Sequence, residues 1–141
     1  FSPDGKYALL RFLSPHHHLA LVPLKEGETK FLEIDPDNPL LHQVFAAFFP
    51  DGERIIFSAI DSQGNNNLYL QNIDGGKPQI FAPDLKIKML STHSISPDGR
   101  FMILTDSDDK LSLYQIADGT SSTLKNLEKG FWLVRWAGDG E

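Results

Sequence analysis

Short apolar runs recur along this chain at a constant distance from one polar turn. The turn is Ser2-Pro3-Asp4-Gly5, then Phe49-Pro50-Asp51-Gly52, then Ser96-Pro97-Asp98-Gly99, with a degenerate copy at Ala137-Gly138-Asp139-Gly140. Its glycines, at 5, 52, 99 and 140, lie 47, 47 and 41 residues apart. With the glycines superposed, Tyr7-Ala8-Leu9-Leu10, Arg54-Ile55-Ile56-Phe57 and Phe101-Met102-Ile103-Leu104 share one register, and each reads as a buried strand bounded by turns. A second register follows at Leu19-Ala20-Leu21, Leu68-Tyr69-Leu70 and Leu111-Ser112-Leu113. Gly27, Gly76 and Gly119 then close another turn before a third strand at Phe31-Leu32, Ile80-Phe81 and Thr123-Leu124. A fourth strand precedes each motif, over residues 44–49, 92–96 and 131–136.

Each unit is therefore strand A, the Pro-Asp-Gly turn, strand B, a variable loop, strand C, a Gly turn and strand D. The turn chemistry fits a hairpin. Pro3, Pro50 and Pro97 set φ, the carboxylates of Asp4, Asp51 and Asp98 can accept from nearby backbone N–H groups, and Gly5, Gly52 and Gly99 accept positive φ. One stretch competes with this reading: residues 40, 41, 44, 45 and 48 are apolar, which is helical spacing. The register outweighs it, because the equivalent residues before the other turns suit strands.

Tandem four-stranded units of this length are β-propeller blades, which stack face to face around a channel. The predicted order is B, C, D, then A, B, C, D twice, then A: twelve strands, an all-β partial β-propeller of about three four-stranded blades in an open arc. Leu9, Ile56 and Ile103, with Leu21, Leu70 and Leu113, are expected in equivalent buried places. Residues 1–141 read as one segment of a longer chain, since the sequence opens inside one motif copy without an initiator Met and stops inside another.

Composition narrows the function classes. Hydrophobic residues make up 40% and aromatics 11%, enough for a packed core. A net charge of −6, with no basic cluster, argues against nucleic acid as partner. The absence of cysteine excludes a disulfide framework, a thiolate metal site and a cysteine nucleophile. No run of 18 apolar residues occurs, so no membrane insertion by a helix of this segment is expected.

The Ser-Pro-Asp-Gly turn with its apolar strand, then Leu68-Tyr69-Leu70 and Asp74-Gly75-Gly76-Lys77-Pro78, resembles the PD40 (WD40-like) repeat of TolB-like propellers over essentially the whole chain. The run from Ser94 through Ser96-Pro97-Asp98-Gly99 to Phe101, with Val134-Arg135-Trp136-Ala137 and the last turn, is most similar to the propeller segment of some bacterial serine/threonine kinases. Such units also occur in periplasmic TolB and in the propellers that gate prolyl-oligopeptidase-like serine peptidases. Phe49 departs from the usual Ser, and Ala137-Gly138 from Ser-Pro. The resemblance implies a non-catalytic binding or sensory module, probed by protein or small ligand on the propeller face and flanked by neighbouring blades. Its implied setting is a bacterial signalling kinase, with a gating propeller or a periplasmic scaffold as alternatives, and an extracytoplasmic or periplasmic location.

No catalytic residue, metal or cofactor is expected. The chain has no Gly-x-Ser-x-Gly elbow, phosphate loop, His-Glu-x-x-His or kinase catalytic motif. His16-His17-His18 reads as a solvated loop, because adjacent residues on a strand point to opposite faces and do not converge on one ion. Asp106-Ser107-Asp108-Asp109 offers hard oxygen ligands but lacks the length and closing Glu of an EF-hand, and reads as a polar hairpin loop. The binding candidates are geometric instead. With strand A lining the channel, His42, Gln43, His93, Trp132 and Arg135 fall on the rim or channel wall.

Overall fold

The computed structural model describes residues 1–12, 18–32, 42–85, 87–125, 127, 130–131 and 135–137. Eleven strands are present among them: β1 (Tyr7–Phe12), β2 (His18–Pro23), β3 (Lys30–Phe31), β4 (His42–Phe48), β5 (Arg54–Ile60), β6 (Asn66–Asn72), β7 (Gln79–Phe81), β8 (Ile87–Ile95), β9 (Phe101–Asp106), β10 (Leu111–Gln115) and β11 (Ser121–Thr123). They form three antiparallel sheets in the orders β1-β2-β3, β4-β5-β6-β7 and β8-β9-β10-β11. Among the described residues the first is a blade without an inner strand, and the others each hold four strands. The architecture is thus all-β, a partial β-propeller with its sheets unclosed. The expected twelfth strand falls on residues 131–136, of which 132–134 lie outside the described residues. Phe131, Arg135 and Trp136 are described and are not in a strand.

The helical spacing before the second turn has a tertiary cause. β4 is a strand from His42, with Ala46 opposite Phe57 and Ala47 opposite Ile56. It sits between two interblade cores, so both of its faces are apolar. Ala46 and Phe48 pack with the core of the first and second blades, around Leu19, Leu21, Leu32, Ile55, Phe57 and Tyr69. Phe45, Ala47 and Phe49 turn to the core of the second and third blades, around Ile56, Leu68, Leu90, Met102 and Leu104. A doubly buried strand needs no polar alternation.

Strand A of the third blade begins at Ile87, earlier than the expected residues 92–96, because it carries an insertion. Leu90 pairs with Leu104 and Ile95 with Met102, so residues 91–94 lie opposite Ile103 alone. In β4 the same interval holds one residue, Ala47 opposite Ile56. Four residues against one exceed the two against one of an ordinary bulge and make a larger, special one. It is tied by side chains: Ser91 N–H donates to Ser94 Oγ at 2.7 Å and His93 N–H to Ser91 Oγ at 3.2 Å. Ser94 is fully buried.

The expected core is correct in part. Ile56 and Leu21 are buried, whereas Leu9 and Leu70 are half-buried against the interblade clusters. Leu113 is half-buried as its counterpart Leu70 is, and Ile103 is half-buried where its counterpart Ile56 is fully buried. Ile56 faces the next blade, and after Ile103 no further blade follows among the described residues.

The motif turns explain themselves locally. In each, the glycine N–H donates to the carbonyl three residues earlier: Gly5 to Ser2, Gly52 to Phe49 and Gly99 to Ser96, at 3.0, 3.0 and 2.9 Å. All three glycines have positive φ, 69°, 72° and 70°. Buried Ser2 and Ser96 donate to Asp4 and Asp98 at 2.7 and 2.6 Å, while each hydroxyl accepts the N–H that opens strand B, from Tyr7 and Phe101, both at 2.9 Å. In the second blade Phe49 replaces this hydroxyl. There Asp51 accepts from Glu53 N–H at 2.9 Å and from Arg54 Nε at 2.8 Å, and the Arg54 guanidinium lies 4.6 Å from the centre of the Phe49 ring.

Candidate functional site

The three motif turns converge on one side of the arc and line a cleft of about 460 Å³. Its walls are Phe1, Phe48, Ile95 and Trp136 with Pro3, Pro50 and Pro97, and His93, Ser96 and Arg135 complete it. The repeat register explains this set. Phe1, Phe48, Ile95 and Trp136 each stand one residue before a motif copy, and the prolines stand one residue after its first position. Successive blades therefore deliver the same two positions to one locus. The result is an apolar wall of rings, with an imidazole and a guanidinium from exposed residues at its margin.

Trp136 is anchored to the inner strand of the third blade: its indole N–H donates to the carbonyl oxygen of His93 at 2.9 Å. The bulge of β8 makes this contact available, since it displaces residues 91–94 from the regular ladder and leaves the His93 carbonyl to a side chain. Of the residues expected on the rim or channel, the structure brings His93 and Arg135 into the cleft. His42 and Gln43 are placed elsewhere. Their backbones pair with Ile60 and Ala59, at the end of the blade beside the 61–65 loop and away from the Pro-Asp-Gly turn. Trp132 lies outside the described residues. Trp136 and the prolines were not among the rim candidates, although an apolar residue before every motif copy was a visible signal.

The electrostatics of the turns support the cleft and leave it largely apolar. The Lys6 ammonium, then the Ser2 hydroxyl and the Lys6 backbone N–H, hold the Asp4 carboxyl at about 2 against an ordinary 3.8. The Ser96 hydroxyl, followed by the Arg100 N–H and guanidinium, holds Asp98 at about 2. Burial pushes Asp51 up but is outweighed by hydrogen bonds from Glu53 and Arg54, so its carboxyl is also depressed. Ser96, the hydroxyl in the cleft wall, is engaged with Asp98 and Phe101 and is placed as a turn brace.

The acidic loop of the third blade is occupied by its own backbone. Asp106 accepts from Asp108 N–H and Lys110 N–H, both at 2.9 Å, and Asp109 pairs with Lys88 at 2.6 Å. Asp61 braces the second-blade loop in the same way, accepting from Gln63 and Asn65 N–H. Asp109 has φ 65° where that loop has Gly64 at 84°. Among the described residues no group of three or more His, Cys, Asp or Glu is placed to hold a metal ion. His16 and His17 lie outside the described residues.

No family model and no curated protein matches the chain. Solved structures do. An Agrobacterium tumefaciens protein assigned as TolB aligns with a TM-score of 0.69 at 22% identity, covering 88% of this chain and 43% of its own. TolB from Acinetobacter baumannii aligns with a TM-score of 0.65 at 22% identity, covering 88% of this chain and 31% of its own. The chain thus spans less than half the length of either protein. Likeness at this identity establishes architecture, and with the blade register it leads to one conclusion: the chain has the TolB-like β-propeller fold, as an open arc of three blades.

Proposed function

We propose that the chain is a non-catalytic binding module that uses the cleft of converging motif turns to hold a protein segment or small ligand. The observation that carries this reading is the delivery of Phe1, Phe48, Ile95 and Trp136, with three prolines, to one locus beside His93 and Arg135. Rigid rings offer contact area at little conformational cost, and the flanking imidazole and guanidinium orient a carbonyl or carboxylate. The fitting ligand is an extended segment that pairs an apolar or aromatic anchor with an acidic or carbonyl oxygen.

The experiment is to pan a library of linear peptides on the protein and titrate the selected peptides by tryptophan fluorescence. Trp136→Ala and Arg135→Ala are expected to weaken binding at least tenfold with the far-ultraviolet circular dichroism unchanged. Selected peptides that bind both variants as well as the parent would overturn the cleft as the site.

The wider setting is the extracytoplasmic part of a bacterial signalling kinase, a reading supported by the resemblance of residues 94–101 and 134–140. Its test is the reading frame on either side: a kinase domain and a membrane-spanning segment are expected upstream. The likeness to two TolB structures favours a second reading, an envelope scaffold. That reading requires an export signal and no kinase. A hydrolase domain with a Ser nucleophile in the same frame would instead make this the gating propeller of a peptidase.

A further inference from the structure

The last strand of the second blade ends in a backbone conformation that the repeat does not require. Ala82 follows β7 with φ 51°, one of two non-glycine residues in the left-handed region among those described. The other, Asp109, stands in a hairpin loop whose second-blade counterpart uses Gly64. Lys125, the counterpart of Ala82 one blade later, has no positive φ. A side chain held in that region stores strain, and such outliers gather where a fold builds a site. Here the strained residue opens a turn, closed by Leu85 N–H donating to the Ala82 carbonyl oxygen at 3.0 Å.

That turn is one wall of a pocket of about 300 Å³ between the second and third blades. Ala82, Asp84 and Leu85 line it from the second blade, and Tyr114, Gly119 and Ser121 from the third. The walls are fixed by packing, since Phe81, Ala82, Leu85 and Tyr114 belong to one interblade core. Tyr114 is 7% exposed, with its ring edge to face with Phe81 at 5.9 Å between centroids. Ser121 pairs with it across β10 and β11. Gly119 lies against its hydroxyl: a Cβ added there would rest 3.2 Å from Tyr114 Oη.

The polar groups of this pocket are of one kind. Asp84 is exposed and makes no hydrogen bond or ion pair among the described residues. By contrast Asp51, Asp61, Asp98 and Asp106 all accept from N–H groups of their own turns. Burial, and after it the charge of Asp118, pushes the Tyr114 hydroxyl up, so a second carboxylate acts on the same place. No Lys, Arg or His is among the lining residues. An anion would meet these carboxylates uncompensated, whereas an ammonium meets a carboxylate, two hydroxyl oxygens and an aromatic ring. The volume is at the small end of ligand pockets, about 300–1,000 Å³.

We propose that this pocket takes a primary alkylammonium group, its apolar stem against Ala82 and Leu85 and its charge at the Asp84 carboxylate and the hydroxyls of Tyr114 and Ser121. The site is built within residues 82–121 and stands apart from the cleft of the motif turns.

The probe is n-butylammonium, titrated into the isotope-labelled chain and followed through the amide shifts of Gly119 and Ser121. Saturable shifts are expected, with n-butanol and butyrate binding at least tenfold more weakly. Asp84→Asn is expected to weaken n-butylammonium at least tenfold, and Tyr114→Phe, which keeps the ring, severalfold, each with the amide dispersion of the folded parent. Trp136→Ala, in the cleft, should leave the titration unchanged, so the two sites stand or fall separately. N-acetyl-lysine methylamide identifies the source: binding as tight as that of n-butylammonium assigns the pocket to a lysine side chain of a protein segment, and tenfold weaker binding assigns it to a free amine. Shifts that do not saturate would overturn the proposal, as would n-butanol binding equally well or undiminished binding to Asp84→Asn.

Discussion

The ring of Pro50 lies against Gly99, so that a Cβ added to Gly99 would rest 3.6 Å from the proline Cδ and Cγ. Pro3 stands in the same relation to Gly52, at 3.7 Å. The proline of one turn thus supports the glycine of the next, and the motif that shapes each hairpin also spaces the blades. The distances are ordinary van der Waals contact, so a methyl group fits, and the strain of replacing Gly99 is conformational. At φ 70°, Gly99→Ala is expected to cost about 1–2 kcal/mol in chemical denaturation. Gly99→Asn should cost less, since Asn tolerates the left-handed region. Equal losses for the two would place the cost in the contact with Pro50 instead.

Phe49→Ser brings the second turn to the sequence of the other two and is nevertheless expected to destabilise the protein. Phe49 is 3% exposed in the interblade core and stacks with Arg54. A large core truncation loses several kcal/mol, and the new hydroxyl recovers about one through its hydrogen bonds, for a net loss of about 2–4 kcal/mol. A urea midpoint at or above that of the parent would contradict this.

Asp98→Asn separates the charge of the turn from its geometry. Asp98 is held at about 2 when folded, against an ordinary 3.8, so its charged form contributes stability that is complete above 3.8 and disappears as pH falls toward 2. The stability gap between parent and variant should be constant from pH 7 to about 5 and close between pH 4 and 2. Because the carboxylate is exposed, the gap should be modest at neutral pH and shrink in high salt. A gap that widens on acidification would reverse the assignment.

Ile56→Ala tests the junction of the second and third blades. The side chain is 0% exposed among Leu68, Leu90 and Met102, and its loss is expected to cost about 2–5 kcal/mol. Ile103→Ala, at the same register position one blade later, should cost clearly less in a monomeric sample, because Ile103 is only half-buried. Equal losses would mean that the face of the third blade carrying Ile103 is already covered within one chain.

The hairpins were legible in sequence because their chemistry is local. The pair Ser96 N–H to Phe101 oxygen closes within six residues, and proline, aspartate and glycine suffice to specify it. Strand order followed from the same repeats. Residues 40–48 were harder, since Phe45 and Phe48 serve opposite faces of one strand and mimic a helix when read along the chain. The bulge at residues 91–94 was invisible, as nothing in Ser91-Thr92-His93-Ser94 departs from strand composition. His93 was singled out without its reason, and Trp136, which binds the His93 carbonyl, was passed over as strand.

Leu10 and Phe57 mark the limit of the reading. Their surroundings in sequence are equivalent, down to the motif eight residues before each, and sequence assigns them the same strand, register and face. One is 51% exposed and the other 0%. Hydrogen bonds of a turn form among neighbours in the chain, so composition and spacing specify them. Burial and the cleft depend on what a blade some 47 residues away places opposite, and that is a property of the packed arc.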